Sequence, residues 1–431
     1  MRRRLASRTI PAFLLAAIAF SAAHGKEPSK AASPVEGAEL AVATGAVSAS
    51  TAALSLRLVP AAQWPPIEDQ LGKKGLLKAA SRASAYLDGA ALEKRFYRIG
   101  NKEVATGELV ATVQELVAIV KSSTGSETLS ERLRESFDLY QSVGSDGMGR
   151  VLFTAYYQPI LSASLKPSKK YRFPLYRKPP DMVEVDVEPF NSRSKGEKFV
   201  GRVTKDKKLV PYFDRRAIDV RHVLAGKGLE IAWLENQYDR LDLHIQGSGI
   251  LKFPSGKRML ARYAATNGLP YKSYATTLLN SGAISRAEMS HARLRQYLAD
   301  HPEGESWILS QNPRYTFFEL VPLPGDGEPY GTAQQQLVPG RSIAIDPAVI
   351  PLGALAYFQT VMPQADRRGN LLGLFSTSRL ALCLDTGGAI LGPGRVDIYL
   401  GSGSQAKVSA QNQWSEGKLY ILLKKIPERD R

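Results

Sequence analysis

The sequence predicts an α+β fold that is mainly β, with a closed barrel and helices attached by segment. Short apolar and aromatic runs bounded by glycine or proline recur through the last third of the chain, which is typical of strands. Helical spacing of apolar residues is confined to separate segments. The chain has 431 residues, of which 44% are hydrophobic, and this is enough to build the cores of two or three domains.

The first 54 residues predict targeting and a linker rather than a folded domain. An arginine-rich start precedes an apolar run over residues 10–20, so residues 1–25 have the layout of a signal peptide. The run is too short to cross the roughly 30 Å core of a bilayer as a helix. Residues 26–54 are rich in Ala, Ser and Gly, which favours a flexible linker. We expect export to the periplasm and, because no cysteine lies near the cleavage region, no covalent lipid anchor.

The formal net charge of +16 predicts an acidic partner. Between Leu161 and Glu230 there are 17 Lys and Arg against 9 Asp and Glu, so much of the excess lies there. For an exported protein, a cell wall with free peptide carboxylates fits this charge, and nucleic acid is not an expected partner. A merely solvated basic face is the alternative. The single cysteine, Cys383, lies in an apolar run and allows no internal disulfide.

Three segments before residue 150 have the apolar spacing of helices that would pack on the barrel. They are Ile67–Leu87, Leu109–Lys121 and Leu129–Tyr140. The next segment, Val151–Ile160, changes to aromatic and β-branched residues, and it predicts a strand that stops at Pro159.

The basic segment predicts a small β domain inserted into a discontinuous barrel domain. Residues 161–240 contain short alternating runs and several prolines. The charge shift at the start of this segment and the return of apolar residues after it indicate an insertion rather than a neighbour in series. We therefore assign the barrel domain to residues 55–160 and 241–427.

The segment Leu241–Gly249 (LDLHIQGSG) is interpreted as a strand of the barrel domain that ends in a glycine turn. Gln246 and Ser248 offer hydrogen-bonding groups at its tip. Helical spacing returns between Arg262 and Ser310, and strands resume after that.

Three aspartates stand at the ends of predicted C-terminal strands. Asp346 and Asp385 each follow a strand, and Asp397 begins another. Burial raises the pKa of an aspartic acid, which lets it donate a proton near neutral pH. Cleavage of a glycosidic bond needs such an acid, and hydrolysis usually needs a second carboxylate about 5–9.5 Å away. The alternative is turn capping, which is most expected for Asp346 because Asp-Pro is a frequent turn opener.

Other chemistries have little support. The five histidines form no HExxH pattern and no close pair, so no metal site is predicted. No glycine-rich turn precedes a helix with Lys-Ser or Lys-Thr, which argues against nucleotide binding. We therefore expect no cofactor. Several aromatic residues could stack on sugar rings, although they are equally ordinary as core residues.

Six segments in order carry a resemblance to a known family. They are FTAYYQP (Phe153–Pro159), LHIQGSG (Leu243–Gly249), YAATNG (Tyr263–Gly268), QNPRYTFF (Gln311–Phe318), IAIDPAVIPLG (Ile343–Gly353) and LDTGGAILGPGRVDIYLG (Leu384–Gly401). Together they resemble the membrane-bound lytic murein transglycosylase A (MltA) family with its C-terminal three-aspartate (3D) domain. The N-terminal third of the chain matches only in general character.

The resemblance implies a double-psi β-barrel with a second, smaller β domain, and a groove between them that takes a glycan strand. The catalytic acid of the family falls on Asp397, while Asp385 and Asp346 fall on its other two motif aspartates. The substrate-binding residues that the resemblance implies are Thr154, Tyr157, Gln246, Ser248 and Asp346.

We therefore predict a peptidoglycan lytic transglycosylase that cleaves the bond between N-acetylmuramic acid and N-acetylglucosamine and forms 1,6-anhydromuramic acid ends. Asp397 would donate a proton to the glycosidic oxygen and then accept the proton of the muramic C6 hydroxyl. Asp385 would tune Asp397 or order its loop. A conventional hydrolase that uses both carboxylates, and a non-catalytic glycan-binding barrel, remain open as alternatives. The expected partner is the peptidoglycan glycan strand, and a wall-remodelling complex is a further candidate.

Overall fold

The computed structural model describes residues 55–91, 95–123, 126–191 and 198–425. The predicted signal peptide and linker, residues 1–54, lie outside the described residues.

Strands form most of the described structure. They are β1 Leu56–Val59, β2 Phe96–Ile99, β3 Lys102–Ala105, β4 Phe137–Ser142, β5 Val151–Gln158, β6 Ile160–Ser164, β7 Phe173–Tyr176, β8 Met182–Asp186, β9 Lys198–Val203, β10 Leu209–Pro211, β11 Glu230–Leu234, β12 Gly249–Lys252, β13 Arg258–Thr266, β14 Thr316–Pro322, β15 Ser342–Ala344, β16 Leu355–Ala365, β17 Leu371–Asp385, β18 Arg395–Ser402 and β19 Trp414–Lys424.

Helices lie before, between and after these strands. They are α1 Lys73–Ala91, α2 Thr106–Ser122, α3 Ser126–Ser136, α4 Arg215–Asp219, α5 Gln237–Gln246, α6 Tyr274–Asn280, α7 His291–Asp300, α8 Pro302–Leu309 and α9 Gly403–Gln411. Across the described ranges, no helix is both long and apolar enough to cross a membrane.

Six strands of the larger sheet close into a barrel. The strand order is β1-β4-β19-β16-β17-β15-β18-β5, and β19 also pairs with β5. This last pairing, in which Trp414 lies opposite Thr154, completes the ring of β5, β18, β15, β17, β16 and β19. The predicted α+β barrel fold is confirmed.

The barrel strands and the first helices share one hydrophobic core. Val396 and Ile398 of β18 are fully buried in it, and helix α2 contributes Leu116. Phe153 and Phe358 meet in the same core with their ring centroids 5.4 Å apart. Because side chains alternate along a strand, the residue between Val396 and Ile398 points to the opposite side of β18.

The predicted helix Leu129–Tyr140 ends earlier than its apolar spacing indicates. Helix α3 stops at Ser136, and the chain continues as strand β4. Leu139 of β4 lies opposite Leu422 of β19 and is fully buried. The prediction for residues 137–140 was wrong because strand pairing and burial outweigh the small differences in helix propensity.

A second β domain is inserted between barrel strands β5 and β15. Its six-stranded sheet has the order β14-β13-β12-β6-β11-β7, and β10, β9 and β8 form a separate three-stranded sheet. The chain passes from β5 to β6 across Pro159 alone, so the predicted strand Val151–Ile160 is divided between the two sheets. Proline has no N–H to donate to a strand partner, which suits this junction.

The inserted domain extends further along the chain than residue 240. Strands β12, β13 and β14 belong to its six-stranded sheet, with Ile250 of β12 opposite Ile160 of β6. The assignment of residues 241–322 to the barrel was therefore wrong. Sheet membership depends on main-chain pairing, whereas the change in charge near residue 240 reports only the composition of the surface.

The interpretation of Leu241–Gly249 as a strand was also wrong, since most of it is helical. Asn236 begins helix α5 by accepting a hydrogen bond from the Asp239 N–H at 2.7 Å, and Gly247 ends it with a φ of 81°. Residues 240–244 are all buried. A helix that is buried on most sides lacks the one-sided apolar pattern that would have revealed it.

A buried ion pair fixes the segment before α1 to the barrel. Arg341, directly before β15, is fully buried and makes two hydrogen bonds to the Asp69 carboxylate, at 2.6 and 2.8 Å. It also donates to the Leu380 carbonyl oxygen at 2.6 Å, and Asp69 accepts a hydrogen bond from the Leu380 N–H at 3.2 Å. This bidentate geometry offsets the free-energy cost of removing both charges from water.

Arg341→Met should lower the free energy of unfolding by about 3–5 kcal/mol, because it leaves the Asp69 carboxylate buried without its partner. Urea unfolding followed by circular dichroism measures the change. The control is Arg258→Met at an exposed arginine of β13, which should stay within about 0.5 kcal/mol of the parent. Equal stabilities of the two variants would show that the pair does not stabilise the fold.

Candidate active site

A cavity of about 210 Å³ is lined by residues of both the barrel and the inserted domain. The barrel contributes strands β5 and β18 and the turn that joins β17 to β18. The inserted domain contributes helix α5 and the segment before β14. Its lining includes Thr154, Tyr157, Asp242, Gln246, Arg314, Arg395 and Asp397.

Asp397 lies on the barrel side of the cavity and is half-buried. Strand β18 pairs with β5 so that Asp397 is opposite Thr154, whose Oγ1 donates a hydrogen bond to Oδ1 at 2.7 Å. Loss of hydration raises the pKa of Asp397 to about 6; the Thr154 hydrogen bond and the Arg395 guanidinium oppose the rise, and the Asp385 charge adds to it. About a tenth of this carboxyl is therefore protonated at pH 7, far more than for an ordinary aspartate.

Asp385 is half-buried and accepts four hydrogen bonds. The Tyr156 hydroxyl donates to Oδ2 at 2.6 Å. Three donors reach Oδ1: the Thr332 N–H at 2.9 Å, the Thr332 hydroxyl at 3.0 Å and the Thr386 N–H at 2.9 Å. Burial nevertheless raises the pKa of Asp385 above its usual range. Unlike Asp397, Asp385 does not line the cavity.

Asp385 and Asp397 lie on either side of one short strand. Ala344 of β15 is the register partner of Asp385 on β17 and of Asp397 on β18. Two strand spacings separate the main chains of the aspartates by about 9–10 Å. The structure thus brings the two predicted carboxylates together but exposes only Asp397 to the cavity.

Asp346 orders the turn between β17 and β18. It is buried, and it accepts hydrogen bonds from the Gly392 N–H at 2.6 Å and the Ala348 N–H at 3.0 Å. These are the contacts of a turn-capping aspartate, and Asp346 lies outside the cavity lining.

Tyr157, Asp242 and Gln246 connect the barrel to the inserted domain. The Tyr157 hydroxyl donates to one oxygen of Asp242, and the Gln246 side-chain amide donates to the other at 3.2 Å. Gln246 in turn accepts a hydrogen bond from the Tyr157 N–H at 3.1 Å. Burial raises the pKa of Tyr157 far above its usual value, so this hydroxyl remains a donor. All three residues line the cavity, whereas Ser248 lies just before β12 and outside it.

Sequence reasoning missed Asp242, Arg314 and Arg395 as cavity residues. Asp242 and Gln246 are four positions apart, so they face each other only on a helix, and this segment was predicted as a strand. Arg395 lies two positions before Asp397 on β18, and strand alternation alone places both on one side.

The cavity can supply one proton donor beside a set of hydrogen-bonding groups. Within the described ranges, no group of three or more His, Cys, Asp or Glu side chains could hold a metal ion. Also within those ranges, no residue donates a hydrogen bond to Oδ2 of Asp397. That oxygen is available to carry a proton to a ligand.

The chain is similar to two domain families. Residues 152–319 match the MltA specific insert domain, and residues 341–423 match the 3D domain. It is 29% identical over 301 residues to membrane-bound lytic murein transglycosylase A of Escherichia coli K12, covering 69% of this chain and 72% of the relative. The Vibrio cholerae protein of the same name is 28% identical over 282 residues, covering 65% and 67%.

Solved structures show the same architecture. The membrane-bound lytic murein transglycosylase from Agrobacterium tumefaciens is 30% identical, with a TM-score of 0.66, and the match covers 88% of this chain and 100% of that one. The structure of E. coli MltA with bound chitohexaose is 22% identical with a TM-score of 0.65, covering 86% and 95%. The second likeness concerns the fold alone.

Asp397→Asn should stabilise the fold above pH 6 and have little effect at pH 4. The folded protein raises the pKa of Asp397 from 3.8 to about 6, so ionising this carboxyl costs stability as the pH rises through that interval. Asparagine removes this cost, which is a gain of about 1–3 kcal/mol at pH 7.5. Urea unfolding of both proteins at pH 4 and pH 7.5 measures it. A gain that is equal at the two pH values would contradict the raised pKa.

Proposed function

Since this chain belongs to the lytic murein transglycosylase A (MltA) family with a C-terminal 3D domain, we infer that it is a peptidoglycan lytic transglycosylase. We propose that it cleaves the β-1,4 bond between N-acetylmuramic acid and N-acetylglucosamine and leaves a 1,6-anhydromuramic acid end. One observation carries the proposal: a single carboxyl of the predicted catalytic pair, Asp397, is open to the cavity and has a pKa suited to donating a proton.

Asp397 serves as acid and then as base in this proposal. In the first step its proton passes to the glycosidic oxygen as the bond from that oxygen to C1 of muramic acid breaks. In the second step the C6 hydroxyl oxygen of the same sugar bonds to C1, and its proton returns to the Asp397 carboxylate. Since the nucleophile belongs to the substrate, one carboxyl suffices and no water is consumed. The Thr154 hydrogen bond to Oδ1 supports this role by leaving Oδ2 for the proton.

Asp385 acts on Asp397 rather than on the sugar. Its charge raises the pKa of Asp397, and its hydrogen bonds from Thr332 and Thr386 hold the start of the glycine-rich turn. A conventional hydrolase would need a second carboxylate with room for a water molecule beside the sugar. Asp385 lies outside the cavity lining with its oxygens already bonded, and this favours the transglycosylase over the hydrolase.

Asp242 also contributes a carboxylate to the cavity lining, and its oxygens, like those of Asp385, are engaged in hydrogen bonds. Both of its oxygens accept hydrogen bonds within the link formed with Tyr157 and Gln246. We assign this link, together with Thr154, to binding and orienting the glycan where the two domains meet. Ser248 and Asp346 lie outside the cavity lining, and Asp346 caps the turn between β17 and β18.

The cell envelope is the location that fits this activity. The relatives are named membrane-bound murein transglycosylases, and peptidoglycan lies in the envelope. The signal peptide predicted for residues 1–25 supports a periplasmic protein. Glycan strands of peptidoglycan are the partner, and the excess of Lys and Arg over residues 161–230 suits acidic groups of the wall.

Asp397→Asn should lower the rate of murein cleavage by about 10²–10⁴-fold, because it removes the proton donor.

Asp385→Asn should reduce the rate less and should move the loss of activity at high pH to a lower pH, because removal of its charge lowers the pKa of Asp397. Release of soluble muropeptides from sacculi over pH 4.5–8 measures both effects. The matched control is Asp300→Asn at the exposed end of helix α7. Abolished turnover in Asp385→Asn alone would exchange the two roles.

Cleavage in oxygen-18 water should leave the new muramic ends unlabelled. In a transglycosylation every new end is the 1,6-anhydro sugar, which is one water lighter than the reducing sugar. A hydrolase would place a solvent oxygen at C1. Mass spectrometry of the digest distinguishes the two products. Reducing, labelled ends would overturn the transglycosylase mechanism even if Asp397 proved essential.

A further inference from the structure

Arg314 lies in the cavity without an acidic partner. Its guanidinium donates from Nη1 to the Leu269 carbonyl oxygen at 3.2 Å, and none of the described carboxylates forms an ion pair with it. The other two arginines of the lining have acidic neighbours: Arg215 is fully buried against Asp219, and Arg395 interacts with the charge of Asp397. An arginine remains charged at physiological pH, so Arg314 brings an unneutralised, half-buried cation to the cavity.

The glycine-rich turn between β17 and β18 supports this guanidinium. A Cβ on Gly388 would lie 3.2 Å from Nη2, 3.3 Å from Cζ and 3.5 Å from Nη1 of Arg314. Three guanidinium atoms at such similar distances show that the group lies over the space that a Cβ on Gly388 would occupy. A Cβ at this position would require the guanidinium to shift by a few tenths of an ångström. Gly388 lines the cavity as well, in the turn that leads from Asp385 to Asp397.

The main chain of Arg314 is fixed from both sides. Its N–H donates to Oδ1 of the buried Asn312 at 3.2 Å, and its carbonyl oxygen accepts a hydrogen bond from Nη2 of Arg215 at 2.6 Å. The guanidinium is therefore held in place before any ligand arrives. A cation fixed in this way loses little conformational freedom on binding an anion.

We propose that Arg314 forms a carboxylate-binding subsite of the cleft, which recognises the anionic substituent carried by muramic acid. The proposal rests on the peptidoglycan activity inferred above. Muramic acid carries a lactyl ether, whose carboxyl is free in peptide-free strands and is linked to a peptide with its own carboxylates in intact murein. N-acetylglucosamine has no such group. A guanidinium binds a carboxylate through two parallel hydrogen bonds, which an ammonium cannot reproduce.

Such a subsite would separate murein from neutral glycans of the same backbone. A polymer of N-acetylglucosamine presents the same ring edges to Thr154, Tyr157 and Gln246 but leaves Arg314 unneutralised. A cation that stays unpaired in a partly dehydrated cavity gains nothing from that ligand. Discrimination would therefore come from one side chain of the inserted domain rather than from the proton donor.

The test is equilibrium binding by calorimetry to full-length protein carrying Asp397→Asn, which slows turnover about 10²–10⁴-fold. Three ligands are compared: chitohexaose, which has no carboxylate, a peptide-free murein hexasaccharide with lactyl carboxylates, and the same strand with its peptides. Arg314→Gln should weaken binding of one or both murein ligands about tenfold and change chitohexaose binding less than twofold. Gly388→Ala, at a φ that alanine can adopt, should cause a smaller loss confined to the same ligands. Arg258→Gln at the exposed arginine of β13 is the control.

The outcomes separate the subsite from the activity on which it rests. Loss confined to the peptide-free strand identifies the lactyl carboxylate as the ligand, and loss confined to the peptide-bearing strand identifies a peptide carboxylate. An equal loss for all three ligands, or no loss in Arg314→Gln, overturns the subsite while leaving the peptidoglycan activity in place. If the protein that carries Asp397→Asn alone binds chitohexaose but neither murein strand, both the proposed function and the subsite are contradicted.

Discussion

The site depends on the pairing of one three-residue strand. Ser342–Ala344 pairs in parallel with β17 and antiparallel with β18, so it sets the distance between the ends of two long strands. Arg341 ties the start of this strand to Asp69 and to the Leu380 main chain. Since the strand has little length of its own, the buried ion pair and the closed ring around it must hold it in register. That register determines the distance between Asp385 and Asp397.

Two aspartates that are close in the fold acquire opposite properties from their hydrogen bonds. Asp385 accepts four and lies outside the cavity lining, whereas Asp397 accepts one from Thr154 and reaches the cavity. Burial raises the pKa of both, but only the sparsely bonded carboxyl can lend a proton to a ligand. A fold that places an acid in this way gives up some stability at neutral pH, which is a common cost of an active site.

The sequence was most informative where chemistry and local pattern coincide. Aspartates at the ends of apolar runs could be identified as candidate site residues, because a carboxylate beside a buried strand is unfavourable unless it has a structural or catalytic role. Asp242 was not, because its segment alternates apolar and polar residues as a strand does, and only the Asn236 cap reveals the helix. The closing strand β19 was not predicted either. Its run KLYILL is apolar enough for a strand, but the residues that pair with β5 are Trp414–Gly417, and no local pattern indicates that partner. Long-range pairing depends on the whole chain, so it cannot be inferred from a short segment.

The pairing of β19 with β5 closes the barrel, so the complete active site cannot form before this pairing does. Thr154 and Trp414 are register partners, although 260 positions separate them in the chain. The strands of the inserted domain, from Ile160 to Pro322, can all pair before that contact is possible. Contacts between distant parts of a chain form late, because the intervening loop must first be closed. A chain that lacks β19 has no closed barrel around Asp397. The proton donor of this wall-cleaving enzyme is therefore placed in its site only after the last strand has paired.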